Sequence, residues 1–341
     1  MKGLKVPLRD AQKVKEILKS EGLLDNGKLA LKGRRYIIFP VKGASKIKKI
    51  SAGQKTVQKK FKTRVKKGSL KEEVCKKLTK KEADLLKTSF DVVGTIAILE
   101  VEEGLEKREK MLAKSVMKLN PRIKTVLKKE GGHTGTYRRQ KMRLLAGDDT
   151  KESVHLENGV KIMVNVETVY FSPRLSHERK RVAEQVKKGE KVLVMFSGAG
   201  PYVCVIAKKT KAKEVVGIEI NPEGHRYAIE NLLLNKIRNA RLYLGDVNEI
   251  VPRLREKFDR IVMPLPKTAE GFLPAALSAA KKGTEMHFYD FLEEKDIPLR
   301  AVEKIKKACA EKKKKCRILG YVKCGQHAPR VFRVCIDFKI V

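Results

Sequence analysis

An apolar run at residues 191–196 leads directly into Phe196-Ser197-Gly198-Ala199-Gly200, and Glu219 closes the next apolar run, residues 215–220. A glycine-rich turn immediately after a strand lets the backbone approach a ligand closely, and a carboxylate at the end of the following strand, about twenty residues on, can hold ribose hydroxyls. Either feature alone is equally the mark of a tight strand-to-helix turn; the two in this order describe a nucleoside site. Two further runs end in special residues: 242–244 leads into Gly245-Asp246-Val247, and 258–263 into Pro264-Leu265-Pro266. Ligands of open α/β sheets lie beyond the carboxyl ends of the strands. One crevice is therefore expected, lined by Phe196, Gly198, Gly200, Glu219, Ile220, Asp246, Val247 and Pro264. Asp246 can equally cap the helix after it. Val203 stands where a full G-x-G-x-x-G would place its last glycine. That disfavours a dinucleotide; S-adenosylmethionine, which needs no pyrophosphate cradle, is compatible with the pattern.

These strand ends meet only in a parallel sheet. From Lys187 onward, apolar runs alternate with helical stretches such as residues 202–208, as a parallel α/β sheet requires. Ahead of it, residues 89–101 and 137–146 read as strands and 104–119 as an amphipathic helix. Residues 154–156 and 160–166 flank Asn158-Gly159, a pair that accepts the positive φ of a tight hairpin. Nearer the start, Leu8 to Leu23 has helical spacing, Tyr36 to Phe39 reads as a strand, and Ser51 to Gly68, lysine-rich without apolar periodicity, reads as a linker. The expected architecture is α/β: a Rossmann-like domain over residues 169–341, a small α+β RNA-binding domain over 67–168, and a basic α+β domain with its linker over 1–66.

Charge names the kind of partner. The chain of 341 residues carries 78 Lys+Arg against 40 Asp+Glu, a net charge of +38. Residues 1–66 alone hold 20 against 4, so +16 of it sits there. Such self-repulsion calls for a polyanion, and nucleic acid fits best. No apolar run approaches the roughly 18 residues that span a bilayer, and Met1 to Lys19 is charged throughout, so neither a membrane anchor nor a signal peptide is expected. The cysteines (75, 204, 309, 316, 324 and 335) show no C-x-x-C pairing, and the six histidines have no metal spacing. A cytoplasmic protein without a metal, acting as a monomer, is expected.

The runs Phe171-Ser172-Pro173-Arg174-Leu175 with Glu178-Arg179, then VLVMFSGAGP (192–201), GIEINP (217–222) and HAPRVFRVCIDF (327–338) resemble the archaeal and eukaryotic tRNA (guanine-37-N1)-methyltransferases. The resemblance covers residues 137–341, and the basic N-terminal unit is similar to an extra domain that recognises the outer corner of tRNA in some archaeal members. It implies a Rossmann-like adenosylmethionine-dependent methyltransferase domain, S-adenosyl-L-methionine as cofactor, tRNA as partner, and a role in tRNA processing by RNA modification. The family's aspartate two positions before the loop phenylalanine, and the asparagine of its N-[LP]-P tripeptide, are replaced here by Val194 and Pro264.

Guanine N1 carries a proton that must leave for methylation, so a general base is needed within hydrogen-bond reach. Glu178 is the candidate: it follows Ser176, a plausible N-cap, and lies in a first turn where the helix dipole favours the carboxylate. The resemblance puts the family's catalytic glutamate there. It gives Arg138 the stabilisation of charge developing on O6, places Tyr170 and Arg174 by the target nucleotide or the methionine end of the cofactor, and makes Arg179 a further substrate-binding residue. Without the resemblance, Glu178-Arg179 would read as a solvated surface pair. The alternatives are aminocarboxypropyl transfer from the same cofactor in wyosine synthesis, methylation of another tRNA purine, and, from a different class, a noncatalytic RNA-binding protein. Because N1 lies on the pairing edge, the target must be a loop nucleotide or one flipped out.

Overall fold

Residues 1–43, 54–63 and 69–341 are described by a computed structural model whose contacts divide the chain between Met1–Ser69 and Leu70–Val341. In the first unit, alternation buries Leu4 and Val6 of β1 (Lys2–Pro7) against Leu18 of helix α1 (Ala11–Ser20). The antiparallel sheet is completed by β2 (Leu31–Lys32), β3 (Tyr36–Pro40) and β4 (Lys55–Gln58), in the order β2-β3-β1-β4. Strand β4 lies within the stretch expected to be a linker, which corrects that expectation; residues 51–53 and 64–68 of it lie outside the described residues. An edge strand is held by main-chain bonds to one neighbour and needs no apolar face, and lysines there discourage further pairing. Its sequence therefore carries no strand pattern.

In the second unit, residues 89–101 form two strands rather than one. Strands β5 (Asp91–Val93) and β6 (Ile96–Leu99) pair about Gly94, which has φ +57° and where a Cβ would meet the Val154 carbonyl oxygen at 2.5 Å. Helix α2 (Glu109–Leu119) then connects β6 to the parallel β7 (Thr125–Lys129), and β8 (Met142–Gly147) completes that sheet. Strands β9 (Glu152–Glu157) and β10 (Val160–Asn165) form the expected hairpin, with Asn158 and Gly159 both at positive φ.

Then follow α3 (Ser176–Gln185), β11 (Lys191–Met195), α4 (Pro201–Lys209), β12 (Glu214–Glu219), α5 (Pro222–Leu234), β13 (Ala240–Leu244), α6 (Val247–Leu254) and β14 (Phe258–Met263). The chain ends in β15 (Ala280–Glu293), α7 (Leu299–Glu311), β16 (Cys316–Ala328) and β17 (Val331–Ile340). The seven strands are ordered β13-β12-β11-β14-β15-β17-β16, parallel except for the last two pairings. Val192 and Val194 of β11 face one core while Leu193 and Met195 face the other, which is why a doubly covered strand reads as an unbroken apolar run. The order reverses between β11 and β14, and a switch point of this kind opens a crevice. The hairpin is tied on by side chains of α5 and of the residue that caps its end. Asn231 and Asn235 each accept from and donate to the main chain of β10, at Met163 and Lys161, at 2.6–2.9 Å.

Under α3 the sheet buries charge rather than hydrocarbon. Arg260, fully buried on β14, bonds Glu190, Glu285 and the Gln185 carbonyl, and donates to His287 Nε2 at 2.8 Å. With Nε2 an acceptor, His287 Nδ1–H donates to Asp337 at 2.7 Å, and Asp337 also accepts from Arg181. Burial lowers the His287 pKa, against the pull of Asp337. Burial alone would raise Asp337, but His287 and Arg181 hold it far below the usual carboxylate range.

Both shifts act in the same direction. An unfolded histidine takes up a proton below about pH 6.5 that buried His287 refuses, and an unfolded aspartate takes one up below about pH 4. The stability these two groups contribute is therefore complete above pH 7 and is expected to fall as pH drops through those values. His287→Gln, whatever its Tm at neutral pH, should lose stability less steeply between about pH 7 and 5 in thermal melts. A decline as steep as the wild type's would remove His287 from this account.

Candidate functional site

A cleft of about 520 Å³ opens beyond the carboxyl ends of β11, β12, β13 and β14. Its wall includes Phe196, Gly198, Glu219, Ile220, Asp246, Val247 and Pro264 from the expected set, together with Arg138, Tyr170 and Arg179. Gly200 does not line it. At φ +76° it begins α4, and a Cβ there would press on Ala228 at 3.2 Å, so its service is to let α4 approach α5.

The centre of the wall is Glu219. Its carboxylate accepts the Gly198 N–H at 2.6 Å and the Asn221 N–H at 2.8 Å, clamping the glycine loop to the end of β12. No lysine, arginine or histidine pairs with it among the described residues, and burial raises its pKa although three backbone N–H groups oppose this. A buried carboxylate in that state still has lone pairs for further donors, which suits a vicinal diol. Beside it, the Ser197 hydroxyl is buried without a partner. Phe196 is held at φ +57° and packs edge-on against Phe272 at 4.8 Å. Asp246 both caps α6, accepting from Asn248 N–H at 2.7 Å, and lines the cleft, so the two readings of it coexist. Ile220, Val247, Leu265 and Phe272 supply flat apolar walls. A diol acceptor, an unpartnered hydroxyl and an apolar slot fit an adenosine moiety.

The opposite side of the mouth carries Arg138 on a turn closed by the Thr134–Arg139 pair, with Arg138 at φ +53°. The strand expected from residue 137 begins only at Met142; Gly135 and the positive φ of Arg138 belong to the turn. The Arg138 guanidinium lies 4.5 Å from the centre of the Tyr170 ring. Arg139 lies over Tyr137 instead and does not line the cleft.

Three expectations need correction. Ser176 is not an N-cap: Pro173, suited to a first helical turn, starts a short 3-10 turn at Pro173–Leu175, and Ser176 is already helical. Arg174 is exposed, bonded to Asp91 at 2.7 Å, and does not line the cleft. Arg179 reaches the wall, but its guanidinium is spent on a buried bidentate pair with Glu157 and on the Ser172 carbonyl.

Glu178 is buried and is not among the lining residues. Arg181 holds both of its oxygens at 2.7 Å, and the Tyr289 hydroxyl donates to Oε1 at 2.6 Å. Because Tyr289 spends its only proton on Glu178, the 2.9 Å contact between the Tyr202 and Tyr289 hydroxyls has Tyr202 as donor. Tyr202 lines the cleft, so two aligned hydroxyls separate the cavity wall from the carboxylate. Sequence reasoning missed both tyrosines, along with Arg333, whose Nη2 donates to the Tyr170 hydroxyl at 2.9 Å. Tyr202 follows the glycine loop directly, a usable signal; Tyr289 and Arg333 meet the site only through the sheet.

His287, Cys335 and Asp337 have metal-ligand spacing. Arg260 and Arg181 already occupy His287 and Asp337, and their charges oppose a cation there. No helix among the described residues is long and apolar enough to cross a membrane.

Residues 153–319 match the TRM5/TYW2 methyltransferase domain, residues 70–150 the TYW2 N-terminal domain, and residues 3–49 the tRNA methyltransferase 5 N-terminal domain. A relative named tRNA (guanine(37)-N(1))-methyltransferase Trm5b, from Pyrococcus abyssi, is 34% identical over 99% of this chain and 98% of its own length. The crystal structure of Trm5b from Pyrococcus abyssi superposes with a TM-score of 0.75 at 33% identity, covering 100% of this chain and 99% of that one. A complex of aTrm5 with tRNALeu gives 0.72 at 30% identity, with 99% of both chains covered.

The Glu219 clamp makes its own test. Glu219→Ala leaves the buried Asn221 N–H and the loop N–H of Gly198 without their acceptor, and each orphaned donor costs about 1–3 kcal/mol. Urea denaturation should show a loss in that range or above, and an unchanged midpoint would mean that the loop holds its shape without the clamp.

Proposed function

Since the chain belongs to the TRM5/TYW2 methyltransferase family, we propose that it transfers a methyl group from S-adenosylmethionine to N1 of guanine-37 in the anticodon loop of tRNA. The observation that carries this is the cleft itself: a diol-binding carboxylate and apolar slot on one wall, and an arginine stacked on a tyrosine across the mouth. S-adenosylmethionine supplies an electrophilic methyl on a sulfonium. Glu219 would hold its ribose hydroxyls, Asp246 and Ser197 would meet its adenine and polar edges, and Phe196, Ile220, Val247 and Pro264 would enclose the flat ring.

Guanine enters from the Arg138 side. Loss of the N1 proton places negative charge on O6, and Arg138, preorganised against Tyr170, stabilises it without reorganisation. The proton goes to Glu178. The carboxylate lies behind the wall, but a proton taken by the Tyr202 oxygen can pass as Tyr202 gives its own to Tyr289 and Tyr289 gives its own to Glu178. Both hydroxyls already donate in that direction. Arg181 bonds both Glu178 oxygens and so fixes the carboxylate against the Tyr289 hydroxyl. Pro264 offers no side-chain donor, so recognition of the base edge falls to Arg138, Tyr170 and the main chain around them.

Residues 1–66, the most basic stretch, would grip the tRNA body, with residues 67–168 adding RNA contacts ahead of the catalytic domain at 169–341. The enzyme would act as a cytoplasmic monomer that needs no metal. Aminocarboxypropyl transfer is the less favoured reading: residues 70–150 match the TYW2 N-terminal domain, but residues 3–49 match the tRNA methyltransferase 5 N-terminal domain and the relative covering 99% of this chain is named a tRNA (guanine(37)-N(1))-methyltransferase.

The deciding experiment incubates a tRNA transcript with enzyme and methyl-labelled donor and analyses the nucleosides by mass spectrometry. Labelled 1-methylguanosine from position 37 is expected; an unlabelled aminocarboxypropyl adduct, or no product, would overturn the reading. Glu178→Gln should slow single-turnover transfer about 10²–10⁴-fold with donor affinity kept. Tyr202→Phe, which removes one hydroxyl and leaves Arg181 paired, should slow the same step and alter its pH profile. Wild-type rates in both would place the base elsewhere. Removing residues 1–66 should weaken turnover of whole tRNA far more than that of a short anticodon stem-loop, and equal effects would deny that segment its role.

A further inference from the structure

Buried or half-buried arginines behind the cleft are matched to carboxylates: Arg179 to Glu157, Arg181 to Glu178 and Asp337, Arg260 to Glu190 and Glu285. Two arginines at the mouth of the cleft break that rule. Arg138 and Arg333 converge on Tyr170, one stacked on its ring at 4.5 Å and the other bonded to its hydroxyl at 2.9 Å. Neither makes an ion pair among the described residues, and the Arg333 Nε is buried with no hydrogen-bond partner. Burial lowers the pKa of Arg138, and the charge of Arg333 lowers it further, so the two cations repel across this gap. Two converging, partly desolvated guanidiniums without a carboxylate make an anion site, since a phosphate beside them relieves the repulsion.

Next to Arg333 lies an aromatic step. Its guanidinium sits 5.3 Å from the Phe291 ring centre, and Phe291 is stacked on the exposed His327 with centroids 4.0 Å apart and planes 19° from parallel. The pKa of His327 is lowered by burial and by Arg333, Arg138 and Lys267, which keeps the imidazole neutral and places it within the same basic group. One face of that ring is covered by Phe291. A basic groove beside a flat aromatic face is how single-stranded nucleic acid is held: cations take the backbone and rings take the bases.

We propose that Arg333 binds the backbone phosphate next to the target nucleotide, leaving Arg138 to the base, and that the outer face of His327, backed by Phe291, carries the neighbouring unpaired base. This rests on the tRNA-methylating reading for the identity of the nucleic acid, and assigns the C-terminal hairpin β16–β17 a part in holding the loop open. Arg333 is here a substrate-positioning residue and His327 a stacking surface. Neither touches the donor pocket.

The test is tRNA affinity of the full chain measured across a series of salt concentrations. Arg333→Gln should bind more weakly and flatten the slope of log K against log salt by about one unit, as loss of one phosphate contact requires. Arg333→Lys, keeping the charge, should restore the slope. His327→Ala should weaken binding about tenfold with an unchanged slope, and His327→Phe should recover the loss. Calorimetry with S-adenosylmethionine should give wild-type affinity in all four variants, confirming that the fold is intact. A wild-type slope in Arg333→Gln, or binding by His327→Phe no better than by His327→Ala, would overturn the proposal. If the wild type methylates a different atom or base while these slopes behave as stated, the functional reading fails and the platform stands.

Discussion

One carboxylate holds the cleft open. Glu219 accepts the Gly198 N–H and the Asn221 N–H at once, and so fixes the turn after β11 to the end of β12, the junction on which the nucleoside slot is built. No cation lies beside it among the described residues, and burial raises its pKa over the opposing pull of the backbone N–H groups. Ligand hydroxyls can then complete a shell that the protein leaves incomplete. Phe196 is held at positive φ in the same turn, a conformation tolerated only where the surroundings fix it.

Behind the cleft the charges are closed in on themselves. Glu190, Glu285, Arg260, His287, Asp337, Arg181 and Glu178 form one chain of hydrogen bonds across β14, β15, β17 and α3, and two tyrosines extend it to the wall. Removing one member of such a set strands a buried charge, which makes the arrangement rigid. At the mouth the reverse holds, and Arg138 and Arg333 are left unmatched. A chain with net charge +38 has cations in excess everywhere, so number alone tells little. What separates structure from binding is which guanidiniums have been given a carboxylate.

Legibility in the sequence followed how local each determinant was. The Asn158-Gly159 hairpin, the apolar run of β11, the glycine loop and Glu219 are each set by neighbours in the chain, and all stand where the residue types put them. The single strand expected over 89–101 became two because Gly94 lies against the Val154 carbonyl, some sixty residues away. Strand β4 was invisible because an edge strand borrows its order from β1. Arg174 and Arg179 sit in the right segment, yet Asp91 and Glu157 turn both guanidiniums to structural use, and nothing near them in the chain announces those partners.

The sequence by itself determined the repeating strand-loop-helix unit, the carboxylate at the second strand end and the basic character of the partner, because periodicity, turn chemistry and net charge are properties of short segments or of simple sums. Only the tertiary structure decided that Glu178 lies behind the wall with two hydroxyls before it, that Tyr170 is flanked by two arginines, and that His327 is stacked on Phe291. Those facts depend on side chains from strands distant in sequence arriving at one place. Burial and pairing, which decide whether a charge is structural or free to bind, exist only once they have arrived.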